Sequence, residues 1–397
     1  MRILAPVVLL FVSASIATGE TLVLRSGTIW ISPEDKPVRK GSVLIEDGRI
    51  VSTGKVRVPR GAVVLDCTGM TILAGFRNSH AHFFERKWEN AATLPAAELE
   101  RQIESMTTRY GFTAVFDLGS VGDTTRAIRR RIEKGEIHGP HIRTTGEVIA
   151  APGAIPAANL LRMLGNTAAA NHEVSTAEQA VSATRALLDS GVDGIKIHLQ
   201  RPLADAVVRA IVEAAHRAGK PVFAHPNSAA DMLACARAGV DVLTHTTPFS
   251  EWDAAVIPTL LGQRVAITPT LAMWRFLLRH DRLSTQQRAA DTAKEQLKAW
   301  ARAGGTVLFG SDLGAVEYDP SEEYERMAQA GMSFAAVLAA LTTAPAERFR
   351  EARQTGRVAS GLAADLVVVE GDPAKDIRAL SRVRYTVRNG RVIYRMR

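Results

Sequence analysis

Strand-like and helix-like segments alternate through most of the chain, and this alternation limits the fold more than any other feature. Short apolar runs typical of buried strands occupy residues 71–77, 112–118, 141–149, 193–199, 221–225, 240–245, 265–271 and 306–311. Amphipathic helical patterns occupy residues 94–109, 124–134, 175–190, 203–218, 229–238, 252–261 and 285–303. Eight strands in phase with helices predict an α/β fold, a (β/α)8 TIM barrel, rather than an open doubly wound sheet.

The two ends of the chain have a different pattern. Residues 20–70 alternate short strands with turns, and the same pattern returns at residues 357–397. Asp47-Gly48 and Asn389-Gly390 are typical tight hairpin turns. Because neither end alone buries enough surface to be stable, we predict one small composite β-sandwich domain from both ends, with the barrel at residues 71–356.

The first 19 residues are typical of a signal peptide. A basic residue, Arg2, precedes an apolar run that is too short to span a bilayer, and small residues follow at Ser15, Ala17 and Gly19. We therefore expect an exported protein, periplasmic or secreted, without membrane attachment after cleavage. An uncleaved anchor and a buried strand are the alternatives.

Composition argues against several classes of partner. The formal net charge is +8, but Lys and Arg are interleaved with acids through the middle of the chain, so we expect no nucleic acid partner. The arginines of the last hairpin fit a solvated strand face better than an anionic partner. Cys67 and Cys235 fall in different predicted domains, which makes a disulfide improbable. The pattern leaves open whether the chain forms a homo-oligomer.

His80 and His82 are separated by one residue at the end of the first predicted strand. Side chains alternate across a strand, so the two imidazoles would point to the same side and could share a metal ion. The carboxyl ends of barrel strands are where active sites of TIM barrels are built. Other residues that could bind metal follow later strands: Lys196, His198, His225, His245 and Asp312.

This set of side chains fits two divalent ions, because imidazole and carboxylate are the ligands of zinc and similar metals. Lys196 is the exception, since an ammonium has no lone pair. Its place between Ile195 and Ile197 points it into the barrel. A buried cation beside metal ions is costly, so its charge must be removed.

These residues resemble the amidohydrolase superfamily, in its imidazolonepropionase-like and Xaa-Pro-dipeptidase-like branch. The resemblance rests on the composite β segments and on the motifs His80-Ala81-His82, residues 111–119, Val192-Asp193-Gly194-Ile195-Lys196, Ala224-His225, Leu243-Thr244-His245-Thr246, Phe309-Gly310-Ser311-Asp312 and Ala364-Asp365-Leu366-Val367-Val368. It implies that His80, His82 and Asp312 hold one metal and that His225 and His245 hold the other. It also implies that Lys196, carboxylated by CO2, and a hydroxide bridge the two ions.

Some positions depart from that pattern. The family often has Asp where this chain has Asn78, and a small Gly-rich turn where it has His198-Leu199-Gln200-Arg201. His198 shares the parity of Lys196, so it could contact substrate or simply pack. Asp117 we interpret as structural or as a support for the ligands. Residues on loops near the same rim are further candidates, as substrate contacts or as packing: Phe83, Trp88, Trp274, Arg275 and Tyr318.

We expect a metal-dependent hydrolase that cleaves an amide or peptide bond of a dipeptide or N-acyl amino acid. Two ions, most simply zinc, would activate a bridging hydroxide, and Asp312 would accept its proton and pass it to the departing nitrogen. Lactones, cyclic amides and phosphotriesters remain alternative substrates of the same site. A non-catalytic exported metal-binding protein is the alternative from another class, and Asp312 argues against it.

Overall fold

The computed structural model describes residues 21–154, 172–316 and 318–396, and the predicted signal peptide at residues 1–19 lies outside these ranges. In chain order the strands are β1 (Leu22–Ile29), β2 (Val38–Glu46), β3 (Arg49–Gly54), β4 (Val63–Asp66), β5 (Met70–Ala74), β6 (Phe76–Ala81), β7 (Phe112–Asp117), β8 (His141–Thr144), β9 (Ile149–Ala150), β10 (His172–Glu173), β11 (Ile195–His198), β12 (Val222–His225), β13 (Val242–Thr244), β14 (Ala266–Thr268), β15 (Thr306–Val307), β16 (Leu366–Glu370), β17 (Val383–Arg388) and β18 (Arg391–Arg395).

The helices lie mainly between the strands of the middle region. They are α1 (Ala96–Met106), α2 (Gly122–Glu133), α3 (Ala177–Asp189), α4 (Asp205–Arg217), α5 (Ala229–Ala238), α6 (Val256–Gly262), α7 (Leu271–Leu277), α8 (Leu283–Arg302), α9 (Ser321–Gln329), α10 (Phe334–Leu341) and α11 (Thr343–Arg348). Among the described residues, no helix combines the length and the apolar character that a membrane crossing needs.

One sheet contains strands from both ends of the described chain. Its order is β18-β17-β16-β5-β1-β2-β3, and β4 pairs with β1. The two predicted hairpin turns are confirmed, because Asp47-Gly48 and Asn389-Gly390 have the positive φ angles of tight hairpin turns, 47° and 76° in the first and 47° and 73° in the second. Alternate residues of these strands pack into a core of their own. The division of the chain into domains at residues 70 and 357 stays a prediction.

The middle of the chain forms a TIM-like barrel of parallel strands. Strands β6, β7 and β8 pair in that order, and β9, β11, β12, β13, β14 and β15 continue the wall. The Asp193 backbone N–H, just before β11, donates to the carbonyl of Thr144 on β8 at 2.7 Å and so joins the two groups of strands. The Ser79 N–H donates to the Phe309 carbonyl at 2.7 Å on the opposite side, so that the wall closes.

The first barrel strand differs from the prediction. The run at residues 71–77 divides at Gly75: β5 pairs with β1 and β16 in the end sheet, and the barrel strand β6 begins only at Phe76. A Cβ at Gly75 would lie 2.3 Å from the Thr113 hydroxyl oxygen, so only glycine fits the junction. His80 therefore lies within the strand and His82 follows it. A continuous apolar run contains no signal for the change of sheet.

The other strands and most helices agree with the predicted pattern, with two kinds of difference. The third strand, predicted at residues 141–149, is two short strands, β8 and β9, separated by four residues that include a left-handed Gly146. Four helices were not predicted: α7 directly after β14, and α9, α10 and α11 after the last barrel strand.

An aromatic cluster fills the barrel beneath the histidines. The rings of Phe116 and Phe223 lie 4.6 Å apart, and Phe349, which follows α11, contacts Phe116 at 5.1 Å. Phe223 precedes His225 by two residues on β12, so both side chains point into the barrel. The rim carrying the histidines therefore rests on a packed apolar floor.

Candidate metal centre

His80, His82 and Asp312 bring three ligand atoms together at one point. Their two imidazole Nε2 atoms are 3.1 Å apart, and the Asp312 Oδ1 atom is 3.2 Å from His80 Nε2 and 2.9 Å from His82 Nε2. Atoms that share a metal at about 2.0–2.2 Å have spacings of this order. The predicted pairing of the two histidines on one side of the strand is thus present in the structure.

The hydrogen bonds on the far side of two rings leave Nε2 as the atom with a lone pair. His82 Nδ1 lies 3.1 Å from the Gly119 carbonyl, which can only accept, so Nδ1 carries the proton. His245 Nδ1 contacts the Thr270 hydroxyl, which itself donates to the Pro269 carbonyl at 2.8 Å. These contacts orient the two rings in the way that the hydrogen bonds around a metal site orient its ligands.

The chemistry of this donor set fits a divalent ion. With the His82 proton on Nδ1, the Nε2 lone pair faces a carboxylate oxygen at 2.9 Å, and two such acceptors repel each other unless a cation or a proton lies between them. One proton would satisfy a single pair of atoms, whereas a metal ion would satisfy all three. His80 Nδ1 is buried and has no hydrogen-bond partner among the described residues.

His225 and His245 extend the cluster across the barrel. The rings of His245 and His80 lie 4.8 Å apart, and the rings of His225 and His245 lie 4.4 Å apart. Atoms of His80, His245 and Asp312 that can bind metal fall within 4.8 Å of one another. All four histidines and Asp312 therefore face a single space at the carboxyl ends of the strands.

Lys196 lies in the barrel interior, while Ile195 and Ile197 pack in the large core shared with the helices. Its side chain is almost fully buried, and Nζ donates to the Thr244 hydroxyl at 2.7 Å. Thr244 in turn donates to the Ala224 carbonyl at 3.1 Å. A neutral hydroxyl is a weak partner for a buried ammonium, so this environment favours an uncharged amine.

Burial changes the proton affinity of these groups in one direction. It lowers the pKa of Lys196 to about 7, although the charge of Asp312 opposes the change. Burial, followed by the positive charge of Lys196, also lowers the pKa of His80 and His245 well below the usual value. His225 follows the same direction for the same first reason, burial. The neutral imidazole is the form that binds a metal ion, and the neutral amine is the form that reacts with CO2.

Asn78, where the resembling family often has Asp, joins the first and last barrel strands. Its Oδ1 accepts from the backbone N–H of His80 at 3.0 Å, and its Nδ2 donates to the Ser311 hydroxyl at 2.8 Å. A carboxylate could not make the second bond as a donor. Asp117 is saturated by hydroxyl groups of Ser120, Thr125 and Thr144, which agrees with a structural role.

Three residues at the site have a left-handed backbone that is uncommon outside glycine. The φ angles are 77° at His245, 57° at Asp312 and 47° at Thr270. They follow strands β13, β15 and β14, next to one another around the rim. Strained positions that cluster in this way are typical of functional sites, because the surrounding structure must hold them.

Of the residues predicted to contact substrate, His198 and Trp274 lie against the histidine cluster, whereas Arg275 is engaged in an ion pair. His198 stacks on His225 with ring centroids 4.1 Å apart, and its Nδ1 accepts from the Gln200 N–H at 3.2 Å. Burial lowers the pKa of His198 to about 3. Trp274 lies 6.2 Å from the ring of His245. Arg275, by contrast, pairs with Glu322 at 2.6 Å.

Tyr318 belongs to a cluster that connects two loops at the rim. Its hydroxyl donates to Glu85 and accepts from Lys87, and the two charged groups are 3.0 Å apart. The other aromatic candidates, Phe83 and Trp88, are buried against each other at 5.4 Å, which is packing. Of the loop candidates, Trp274 is the one with a ring contact to the histidine cluster.

Sequence reasoning missed Thr244 and Thr270, which contact Lys196 and His245. Thr244 lies within a recognised motif, directly before His245, whereas Thr270 lies only within the predicted strand at residues 265–271. Their residue type was visible, but a threonine near a strand end is common. The left-handed φ of Thr270 and the direction of its hydroxyl appear only in the fold.

Glu323 on α9 holds the start of α7, the helix that carries Trp274. Its two carboxylate oxygens accept from the backbone N–H groups of Leu271 at 2.9 Å and Ala272 at 2.8 Å. Burial raises the pKa of this carboxyl to about 7, although both hydrogen bonds oppose the change. The folded chain therefore binds this proton more tightly than the unfolded chain does.

This carboxyl should make stability depend on pH. Its contribution is fully present below the unfolded pKa of 4.5 and is lost as the pH rises through about 7. We expect Glu323 to lower the free energy of unfolding by up to about 3 kcal/mol between pH 5 and 8. Denaturant unfolding at several pH values, compared between wild type and Glu323→Gln, isolates this slope. The exposed Glu295→Gln should keep the wild-type slope, and an equal slope in Glu323→Gln would contradict the assignment.

The fold agrees with the comparisons to known proteins. The sequence pattern of the amidohydrolase family matches residues 71–393. No curated protein matches the chain in sequence. Among solved structures, a Xaa-Pro dipeptidase with bound methionine in the active site has a TM-score of 0.81 and 22% identity, covering 95% of this chain and 100% of the other.

Two further structures are similar over almost the whole described chain. A prolidase complexed with N-methylphosphonate-L-proline has a TM-score of 0.78 at 25% identity, covering 95% of this chain and 100% of the other. Ochratoxinase from A. niger has a TM-score of 0.76 at 21% identity, covering 94% and 95%. With the family pattern matched over most of its length, this chain belongs to the amidohydrolase family and is a hydrolase that acts on carbon–nitrogen bonds.

Proposed function

We propose that this enzyme cleaves the amide or peptide bond of a dipeptide or an N-acyl amino acid, using two divalent metal ions that are most simply zinc. The observation that carries the proposal is the convergence of His80, His82 and Asp312 at 2.9–3.2 Å beside the buried Lys196. His80, His82 and Asp312 would hold one ion, and His225 and His245 the other. When bound, such ions lower the pKa of water towards neutrality and polarise a carbonyl group.

Lys196 would join the two halves of this site after reaction with CO2. The neutral amine adds to the carbon of CO2 and loses one proton, which gives a carbamate with two oxygen atoms that can bind metal. Burial supports this step, because it favours the neutral amine that the reaction needs. The product also removes the difficulty of a buried cation beside metal ions.

Asp312 would act as the proton carrier. Its carboxylate faces the same space as the imidazoles, so it would accept the proton that water releases on attacking the scissile carbonyl. It would then return that proton to the nitrogen that departs. The Asp312 backbone N–H donates to the His80 carbonyl at 3.0 Å, which holds this left-handed residue beside β6 with its carboxylate near the imidazoles.

The similar structures include enzymes whose names concern peptide or amide bonds, such as the Xaa-Pro dipeptidase and the prolidase. We propose a substrate of that kind on this ground. Lactones, cyclic amides and phosphotriesters are the competing substrates, since one barrel supports many reactions through its loops. We further propose export of the enzyme, and the end sheet as a composite domain, because residues 1–19 have the pattern of a signal peptide and the sheet joins both ends.

The proposal is tested with the mature chain, zinc and bicarbonate. We expect new free amino groups from a panel of dipeptides and N-acyl amino acids, together with two bound ions per chain by metal analysis. Protein stripped of metal by a chelator is the control and should release no amine. Ammonia from ring amines, or turnover limited to lactones and phosphate esters, would show that the bond is a different one.

A further inference from the structure

An aromatic path leads from the histidine cluster to the protein surface. The ring of Trp274 lies 6.2 Å from the buried His245 and 5.8 Å from Phe249, and both contacts are edge-to-face. Burial decreases along this path: His245 is buried, Trp274 is half-buried, and Phe249 is 63% exposed. An aromatic residue with this much exposure stands out because it continues a line that begins at the candidate metal centre.

Phe249 is held on a rigid turn rather than on a loose loop. The turn closes through the Ser250 N–H, which donates to the Thr247 carbonyl at 2.9 Å. The buried amide of Gln296 on α8 donates to the carbonyls of Thr247 at 3.0 Å and Ser250 at 2.9 Å, and accepts from the Thr247 N–H at 3.0 Å. Three hydrogen bonds from one side chain therefore fix the backbone on both sides of Phe249.

Trp274 is fixed in the same way. Its Nε1–H donates to the Thr246 hydroxyl at 3.1 Å, on the residue that follows His245. Glu323 anchors the start of the helix that carries it. Phe249 thus projects from a fixed backbone onto the fixed ring of Trp274, and aromatic side chains pre-organised in this way bind an apolar group at little cost in conformational entropy.

We propose that Phe249 and Trp274 form an apolar wall of the substrate site, which selects substrates with a large apolar or aromatic group next to the scissile amide. This inference rests on the proposed function and names its substrate class. A phenyl or branched aliphatic group against the two rings would bury their exposed surface, which favours binding in proportion to the apolar area removed from water. A methyl group in the same place would leave most of that surface in water.

A single exposed apolar residue is common on soluble proteins, so the comparison residue matters. Leu283 at the start of α8 is 81% exposed, more than Phe249, and as an aliphatic residue it is not part of the aromatic path. Leu283→Ala is therefore the matched control for Phe249→Ala, since both remove an exposed apolar side chain.

The test compares N-acetyl derivatives of Ala, Leu and Phe, and a second series in which the acyl group changes from acetyl to phenylacetyl on alanine. We expect kcat/KM of the zinc-loaded wild type to rise with apolar size in at least one series, by about 10-fold or more. The preference is the kcat/KM of the largest substrate divided by that of the smallest. Phe249→Ala should reduce this preference to about one-tenth of its wild-type value, mainly through a higher KM for the large substrate, while Leu283→Ala keeps it. A ratio that is unchanged in Phe249→Ala overturns the wall.

Binding of small probes separates this inference from the function beneath it. Calorimetry with 3-phenylpropanoate and propanoate should show about 10-fold tighter binding of the aromatic probe to wild type, and a smaller difference in Phe249→Ala. If the probes bind as expected but no amide is hydrolysed, the wall is retained and the proposed reaction is rejected. Equal binding of the two probes would reject the wall. So would a Phe249→Ala protein whose only change is a smaller assembly in sedimentation, because Phe249 would then lie in a contact between copies of the chain.

Discussion

Lys196→Ala is expected to lose most of its activity and at least one of the two proposed metal ions. Alanine has no nitrogen to carboxylate, so the proposed link between the two ion positions would be missing. Thr244 would also lose its hydrogen-bond donor at 2.7 Å. Metal content per chain and amide hydrolysis, measured on the same zinc-loaded preparation, check this result.

The same variant allows a sharper test by chemical rescue. Short-chain carboxylic acids such as acetate or propanoate could occupy the space left by the side chain, and we expect them to restore part of the activity of Lys196→Ala. Lys298→Ala is the matched control, because Lys298 pairs with Glu295 on the surface of α8, and it should keep full activity and metal. Full metal content and an unchanged rate in Lys196→Ala would falsify the carboxylated-lysine assignment.

Asp312→Asn is expected to keep much of its metal but to lose turnover by roughly 10²-fold or more. Asparagine retains an oxygen near His80 and His82, whereas it cannot accept a proton from water at neutral pH. The loss should appear in kcat rather than in KM, because the proton transfer takes place after substrate binding. Steady-state kinetics and metal analysis on one sample separate these effects.

Asp123→Asn makes the same chemical change at an exposed position of α2 and should leave both quantities as in the wild type. The contrast between Lys196→Ala, which loses metal, and Asp312→Asn, which keeps more of it, tests the two roles independently. Wild-type turnover in Asp312→Asn would rule out the proposed proton transfer. Loss of all metal would instead give Asp312 a role in binding alone.

The part of the site that follows from strand parity could be predicted from the sequence. His80 and His82 two residues apart, and Lys196 flanked by two isoleucines, have one physical arrangement on a barrel strand, and the structure has that arrangement. The hairpin turns at Asp47-Gly48 and Asn389-Gly390 were predictable for a similar reason, since their residue types favour the left-handed backbone.

Other features depend on partners far apart in sequence. The end of β5 at Ala74 is set by its pairing with β16, almost 300 residues later, and no local pattern contains that information. The turn that carries Phe249 is fixed by Gln296 on α8. In the sequence, Gln296 is one glutamine within an amphipathic helical pattern, and nothing near it indicates a contact with this turn. The proton positions on His82 and His245 likewise depend on a carbonyl and a hydroxyl of residues that follow neighbouring strands.

The end sheet imposes an order on how the enzyme can be made. Strand β5 lies between β1 and β16, and it continues through Gly75 directly into the barrel strand that carries His80. During synthesis β1 is present when β5 emerges, but β16 is not, so one edge of β5 stays unpaired until the whole barrel has been translated. An unpaired apolar edge invites pairing with other chains. A chain that ended between Asp312 and β16 would therefore contain every proposed metal ligand but would leave one edge of β5 unpaired.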